Sequence, residues 1–132
     1  MSRLSTELLI EPSIVRDNIL QLKSQIENKS NFMAIIKSDA YGHILPNIVR
    51  DIDDLVDGYG VVRLEEAIEL RQISKKKILL MQGVSSNEDF LEACENSLDL
   101  VVHNSHQFEI LKKNNYFNNC LLYTSDAADE CD

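Results

Sequence analysis

The 132-residue chain contains no tryptophan and is poor in proline, glycine and cysteine, with two, four and three of each. Such low glycine and proline contents exclude collagen-like and low-complexity proteins. Three cysteines without a pairing pattern argue against a disulfide scaffold and favour a reducing compartment. Basic residues are also scarce, because 13 Lys and Arg stand against 22 Asp and Glu, a formal net charge of −9. Since nucleic-acid affinity comes mostly from bases that neutralise phosphates, we expect no nucleic-acid partner.

Long apolar runs are missing as well. None approaches the roughly 20 residues needed to cross a bilayer. The stretch from Met1 to Pro12 has one base and a short apolar run, unlike a secretory signal. We therefore expect no membrane partner and a cytoplasmic location. The remaining composition, 44% hydrophobic and 27% charged, is typical of a globular protein, and the length fits one domain or part of a larger one.

Residues 120–132 differ in character from the rest of the chain. They hold two of the three cysteines and four acids, Asp126, Asp129, Glu130 and Asp132. The run 120–130 resembles the translation of a transposase-type sequencing-library adapter. We therefore expect the natural reading frame to end near Asn119 and residues 120–132 to be a non-native tail, with an ordinary acidic tail as the alternative. DNA amplified again from the source should then diverge after codon 119.

Within residues 1–119, short apolar runs alternate with segments of helical periodicity. Four runs are typical of buried strands: Phe32–Ile36, Gly58–Val62, Ile78–Met81 and Leu100–Val102. A further strand-like stretch, Glu7–Ile10, precedes a predicted helix start at Pro12. The first helix carries an apolar stripe of Val15, Ile19, Leu22 and Ile26. The order is therefore a strand followed by a helix, four times over.

This alternation predicts an α/β protein with a parallel sheet and right-handed crossovers. Two architectures fit, the first half of a (β/α)8 TIM-type barrel or a small open doubly wound sheet, and periodicity does not choose between them. In both, ligands bind at the carboxyl ends of the strands. Lys37, Arg63, Gln82 and His103 stand at these ends. For the last three we favour the simpler interpretation that a strand ends where polar residues begin.

Lys37 stands where a buried strand is predicted to open on to the ligand face. Burial favours the neutral form of its amine, which is nucleophilic and forms Schiff bases with aldehydes. Residues 39–42 are predicted to form a tight loop, in which Gly42 is able to adopt a positive φ. Tyr41 could direct its hydroxyl toward an anion near the strand ends. On these features alone the case is weak, since a strand-end lysine is more often solvated and a tyrosine more often packed.

The string Ala34–His43, AIIKSDAYGH, resembles the pyridoxal-phosphate motif of alanine racemases. Further segments resemble the second, third and fourth strands of that family, in order: Gly58–Ala67, Ile78–Val84 and Val101–Asn104. The resemblance extends over nearly all of residues 6–113. It implies that residues 1–119 are the N-terminal part of the family's pyridoxal-phosphate barrel, a truncated first half. The family usually has Gly after the His of the motif, where this chain has Ile44.

The resemblance also implies an activity, the interconversion of L-alanine and D-alanine that supplies D-alanine for peptidoglycan. Lys37 would be the catalytic residue that holds pyridoxal 5'-phosphate and then acts as a base at Cα, and Tyr41 would hydrogen-bond the cofactor phosphate. No metal is implied. The intact isomerase would be a homodimer with a second domain, in which a tyrosine of the partner subunit supplies the second base. That residue has no counterpart here, so we expect the 132 residues alone to be inactive.

Two alternatives remain open at this point. A non-catalytic pyridoxal-phosphate-binding barrel protein would keep Lys37 and need no second base, although the loop at residues 39–43 argues against it. A small flavodoxin-like binding domain, complete in four or five strands, would account for the short length. A metal site finds no support, because Cys94, His103 and His106 do not form a recognisable zinc set.

Overall fold

The computed structural model describes residues 6–26, 28–114 and 122–124, the last range by its backbone alone. The helical segments are α1 (Pro12–Gln25), α2 (Lys37–Gly42), α3 (Leu45–Ile52), α4 (Leu64–Ile73), α5 (Asn87–Glu95) and α6 (Ser105–Asn114). The strands are β1 (Met33–Ile35), β2 (Gly58–Val61), β3 (Lys77–Leu80), β4 (Asp99–Val102) and β5 (Leu122–Thr124). All strand pairs are parallel.

The strands lie in the sheet in the same order as in the chain, β1-β2-β3-β4-β5. An open doubly wound sheet reverses direction at a switch point, as in the flavodoxin order 2-1-3-4-5, and the described strands contain no such reversal. Sequential parallel strands joined through helices are the arrangement of a (β/α)8 barrel. The fold is therefore the first half of a TIM-type barrel, and the flavodoxin-like alternative is wrong.

The four predicted strands are confirmed with small shifts of their ends, but β1 differs in burial. The sequence predicts it to be buried on both faces, whereas Ile35 is 38% exposed and the other two residues of the strand, Met33 and Ala34, are half-buried. The reason is position, because β1 is an edge strand that pairs with β2 alone among the described strands. All four residues of β2, which lies between two strands, are buried.

The strand-like stretch Glu7–Ile10 was predicted wrongly. Residues 6–11 form no regular structure, and Leu8 and Leu9 are exposed by 70% and 77%. Three apolar residues in a row satisfy the strand pattern, but no described strand lies beside them to accept the backbone hydrogen bonds of a sheet. In α1, the stripe buries Ile19, while Leu22 is exposed.

The starts of α5 and α6 are marked by side chains that accept hydrogen bonds from free backbone N–H groups. Ser86 Oγ accepts a hydrogen bond from Asp89 N at 3.1 Å, and Asn104 Oδ1 accepts one from Gln107 N at 2.9 Å. The core between strands and helices contains fully buried side chains of both, together with that of Leu98 just before β4: Tyr59, Leu70, Ile78, Leu80 and Phe90. In the part of the chain that the structure describes, no helix is long and apolar enough to span a bilayer.

Strand β5 lies within the segment that we expect to be a non-native tail. Leu122 is aligned with Leu100, and Thr124 with Val102, at the far edge of β4. An open parallel edge presents unpaired N–H and C=O groups that pair with any short segment of high β-propensity. The pairing therefore carries no information on the origin of residues 120–132, and that expectation stays a prediction.

Candidate functional site

Lys37 lies directly beyond β1, at the carboxyl-end face of the sheet, where the sequence predicts it. The Ile36 N–H donates to Gly60 O at 2.9 Å, which continues the ladder with β2 up to the lysine. Lys37 is half-buried and Tyr41 is 59% exposed. The Lys37 Nζ lies 6.0 Å from the centroid of the Tyr41 ring, within the range of a cation–π contact. The structure therefore brings the two predicted site residues together.

The segment between them has an unusual backbone. Ser38, Asp39, Ala40 and Tyr41 have φ of 55°, 55°, 55° and 56°, so α2 is one turn of left-handed helix. Gly42 has a positive φ of 83°, which the sequence analysis noted as possible, but the prediction of a simple tight loop missed the four residues before it. For L-residues this conformation costs roughly 1–2 kcal/mol each. Such strain persists where the surrounding structure imposes it.

Local hydrogen bonds hold the left-handed turn at both ends. Ala40 is buried, and its N–H donates to Ile36 O at 3.0 Å. Asp39 Oδ1 accepts a hydrogen bond from Leu45 N at 2.8 Å, which joins the turn to the first residue of α3. The His43 ring nitrogen Nδ1 lies 2.9 Å from Ala40 O and donates to it, because a carbonyl oxygen only accepts.

Glu66 makes a third connection, which the sequence analysis missed. Its Oε1 accepts a hydrogen bond from Ser38 N at 3.0 Å, and its Oε2 accepts from Val62 N at 3.2 Å and Arg63 N at 3.4 Å. Glu66 is the third residue of α4, the position from which a glutamate reaches back to the N-cap backbone. The sequence could therefore have predicted the hydrogen bond between Glu66 and the N-cap backbone, but not its contact with Ser38.

The other strand-end residues serve the loops of the same face. His103 Nε2 lies 2.6 Å from Met81 O and donates to it. The buried Gln107 accepts from His103 N at 2.7 Å through Oε1 and donates from Nε2 to Gln82 O at 2.9 Å. Arg63 is exposed at the start of α4. These contacts tie the loops after β3 and β4 together and agree with the simpler interpretation of these residues as strand ends.

Two cavities border the Lys37 turn and the neighbouring loops. One, of about 650 Å³, lies between the loops that follow β2 and β3, and Glu66 and Gln107 line it. The other, of about 430 Å³, is apolar and lies between α1, β1 and α3, with Tyr41 and His43 at its border. Among the described residues, no three His, Cys, Asp or Glu side chains are grouped to hold a metal ion.

A polar cluster lies away from this face, at the amino ends of the strands. Tyr59 OH donates to Asp53 Oδ1 at 2.9 Å, and Ser74 Oγ donates to the same oxygen at 2.6 Å. Burial and the hydrogen bond to Asp53 raise the pKa of Tyr59 well above its usual value, so the phenol stays neutral. Burial also lowers the pKa of Arg71. In barrels, polar groups at this end contribute to stability rather than to chemistry.

Comparison with known proteins identifies relatives over most of the chain. The family model described as the N-terminal domain of alanine racemase matches residues 10–117. The alanine racemase of Shewanella oneidensis is 37% identical over 105 residues, which are 79% of this chain and 29% of that protein. The alanine racemase of Haemophilus influenzae is 35% identical over 107 residues, 80% of this chain and 29% of that protein.

Solved structures give the same result for the fold. The alanine racemase structure from Acinetobacter baumannii matches with a TM-score of 0.75 and 28% identity, over 81% of this chain and 30% of that one. The biosynthetic alanine racemase of Pseudomonas aeruginosa matches with a TM-score of 0.70 and 29% identity, over 76% and 28%. The chain thus spans about three tenths of the length of the curated relatives that it matches.

Proposed function

We propose that this chain, which belongs to the alanine racemase family, is the N-terminal part of a pyridoxal-phosphate-dependent enzyme that interconverts L-alanine and D-alanine. The observation that carries the proposal is the pairing of Lys37 with Tyr41 on a left-handed turn at the carboxyl ends of a parallel barrel sheet. The chain spans about three tenths of its relatives, so the activity is proposed for the whole protein.

The residues present fit the chemistry of pyridoxal 5'-phosphate. The cofactor is an aldehyde, which condenses with a primary amine, and Lys37 offers one at the ligand face. Its phosphate accepts hydrogen bonds, and the exposed Tyr41 offers a hydroxyl beside the lysine. When bound, the cofactor withdraws electron density from the substrate Cα and so acidifies its C–H bond.

Lys37 then has two tasks, to hold the cofactor and to accept or return a proton at the alanine Cα. The second task requires that the Nζ atom stay close to one face of the substrate. A short rigid turn suits this need better than a mobile loop, because it limits the positions of the side chain. Tyr41 would hydrogen-bond the phosphate of the cofactor and so help to hold it beside the lysine.

The remaining parts of the proposal concern the whole protein. A homodimer would complete the site with a base from the partner subunit, and a cytoplasmic enzyme would supply D-alanine for peptidoglycan. The family assignment supports these parts.

Covalent trapping of the cofactor tests the role of Lys37 directly. The chain is incubated with pyridoxal phosphate, reduced with borohydride and mapped by mass spectrometry of its peptides. We expect the phosphopyridoxyl group on Lys37, and the labelled peptide should be lost in Lys37→Ala. The control Lys75→Ala changes a lysine that is exposed beyond α4, and it should keep the label on Lys37. Equal labelling of the exposed lysines, without preference for Lys37, would contradict the proposal.

A further inference from the structure

We infer that Glu66 is a positioning residue for Lys37, because its carboxylate holds the backbone of the left-handed turn that follows the lysine. The inference deepens the proposed function and rests on it, since it assigns a purpose to the turn only if Lys37 holds the cofactor. Glu66 lies on α4 and its carboxylate accepts hydrogen bonds from backbone N–H groups, so it acts through the backbone and not on the reacting atoms.

The geometry joins two loops through one carboxylate. Ser38 N, the first backbone donor after Lys37, points at Glu66 Oε1 at a distance of 3.0 Å. The other oxygen accepts from Val62 N and Arg63 N, the two residues that lead into α4. The turn after β1 is thereby fixed to the loop after β2, and both lie at the carboxyl-end face.

The need for such a contact follows from the backbone of the turn. Four consecutive L-residues with φ near 55° are intrinsically unfavourable, so the turn depends on contacts from outside itself. The contact from Asp39 to Leu45 N holds its end toward α3, while Glu66 holds the end next to Lys37. Loss of the Glu66 contact would leave this end, which determines where the lysine side chain starts, to the hydrogen bond from Ala40 N to Ile36 O within the turn.

The carboxylate is the group that meets all three donors. An ionised carboxylate has only acceptors, whereas the amide of a glutamine has one acceptor oxygen and an NH₂ group that would face an N–H. Glu66→Gln therefore breaks at least part of the contact while it preserves the size of the side chain. Glu65, the preceding residue, is exposed and undergoes the same change of charge on the same helix, so Glu65→Gln is the matched control.

Two measurements on the 132-residue chain test the inference. One is the dependence of borohydride-trapped product at Lys37 on the concentration of pyridoxal phosphate. The other is deuterium exchange of the peptide that contains Ser38, without cofactor. For Glu66→Gln we expect the concentration of pyridoxal phosphate that half-saturates Lys37 to be about tenfold higher, since hydrogen bonds to a charged group are lost. The peptide that contains Ser38 should exchange faster for the same reason. Glu65→Gln should match the wild type in both.

A rescue variant separates positioning from general stability. Ser38→Gly lowers the cost of the left-handed conformation at the residue that Glu66 holds. In the double variant Glu66→Gln with Ser38→Gly, the half-saturating concentration of pyridoxal phosphate should return to within about threefold of the wild-type value. The turn then depends less on the carboxylate. Failure of the rescue, including a double variant that does not fold, would overturn the inference, as would equal behaviour of Glu66→Gln and Glu65→Gln.

The labelling of Lys37 in the wild type distinguishes failure of the proposed function from failure of the inference about Glu66. If the wild type shows no preference for Lys37, the assignment of Lys37 falls, and with it the purpose of the positioning. If the wild type labels Lys37 and Glu66→Gln labels it equally well, only the inference about Glu66 falls.

Discussion

Ile44 is the residue at which the chain departs from the Lys-x-Asp-Ala-Tyr-Gly-His-Gly pattern of the resemblance, and it has a φ of 64°. A β-branched residue is poorly suited to positive φ, since its side chain is crowded against the backbone. The side chain is 47% exposed, so it gains little from burial in return. The strain therefore falls on the residue that links the Lys37 turn to α3.

We expect Ile44→Gly to raise the free energy of unfolding by about 1 kcal/mol. Relief of roughly 1–3 kcal/mol of strain is offset by about 0.5–1 kcal/mol for the greater flexibility of glycine in the unfolded chain. Urea unfolding measures the change. Ile26, which is 37% exposed with a φ of −98°, is the control, and Ile26→Gly should destabilise. Destabilisation by Ile44→Gly as large as that of the control would refute the strain argument.

Gly83 and Gly42 form a second comparison at the residue scale. Both have positive φ, 71° and 83°, but a Cβ at Gly83 would lie 2.3 Å from Val101 O. A Cβ at Gly42 would have no atom of the described residues within 4 Å. We expect Gly83→Ala to lower the free energy of unfolding by about 2 kcal/mol or more, and Gly42→Ala by about 1 kcal/mol. Similar losses in the two variants, measured by urea unfolding, would show that backbone conformation alone matters at Gly83.

At the scale of elements, α1 is joined to the segment after α3 by Arg16. Its Nη1 and Nη2 lie 2.6 and 2.8 Å from the two carboxylate oxygens of Asp54, and Nη1 also donates to Asp51 O at 2.7 Å. The hydrogen bonds from Arg16 hold the pKa of Asp54 below its ordinary value of 3.8. Both side chains are exposed, so the contribution to stability is small and sensitive to salt.

The pH dependence of that contribution has a definite sign. Because the folded pKa is lowered, the pair stabilises the protein above the ordinary pKa of 3.8 and loses that effect as the pH falls through the folded value. We expect Asp54→Asn to lower Tm slightly at neutral pH, with the difference vanishing in acid and in high salt. Asp51→Asn, which keeps the backbone acceptor, should have a smaller effect. A Tm difference that persists unchanged below the folded pKa would rule out the ion pair as its cause.

The sequence predicts most of the strands, but not the burial of β1 or the left-handed turn. Apolar runs such as Ile78–Met81 predict their strands because a strand inside a parallel sheet is buried on both faces. The burial of β1 could not be predicted, since the pattern of Phe32–Ile36 does not reveal that the strand lies at an edge. Nor could the left-handed turn, because Ser38 and Ala40 have no local preference for positive φ and take it from contacts with distant residues such as Glu66.

For the whole molecule, the sequence determines the candidate site only in part. Lys37 and Tyr41 were found through a motif, and the structure places them together. Glu66 belongs to another repeat of the barrel, 28 positions along the chain from Ser38. Contacts of that kind depend on which strands are neighbours, and periodicity left that question open. The strand order β1-β2-β3-β4-β5 answers it, because it sets the loops after β1 and β2 side by side.

We predict that the 132-residue chain does not racemise alanine by itself. Racemisation removes a proton from one face of Cα and delivers one to the other, so it requires proton-transfer groups on both sides. The proposed function assigns this role to one of the described residues, Lys37. With L-alanine and pyridoxal phosphate, we expect no more D-alanine from the chain than from Lys37→Ala, as measured by chiral chromatography. Turnover that disappears in Lys37→Ala would instead show that this half of a barrel supplies both groups.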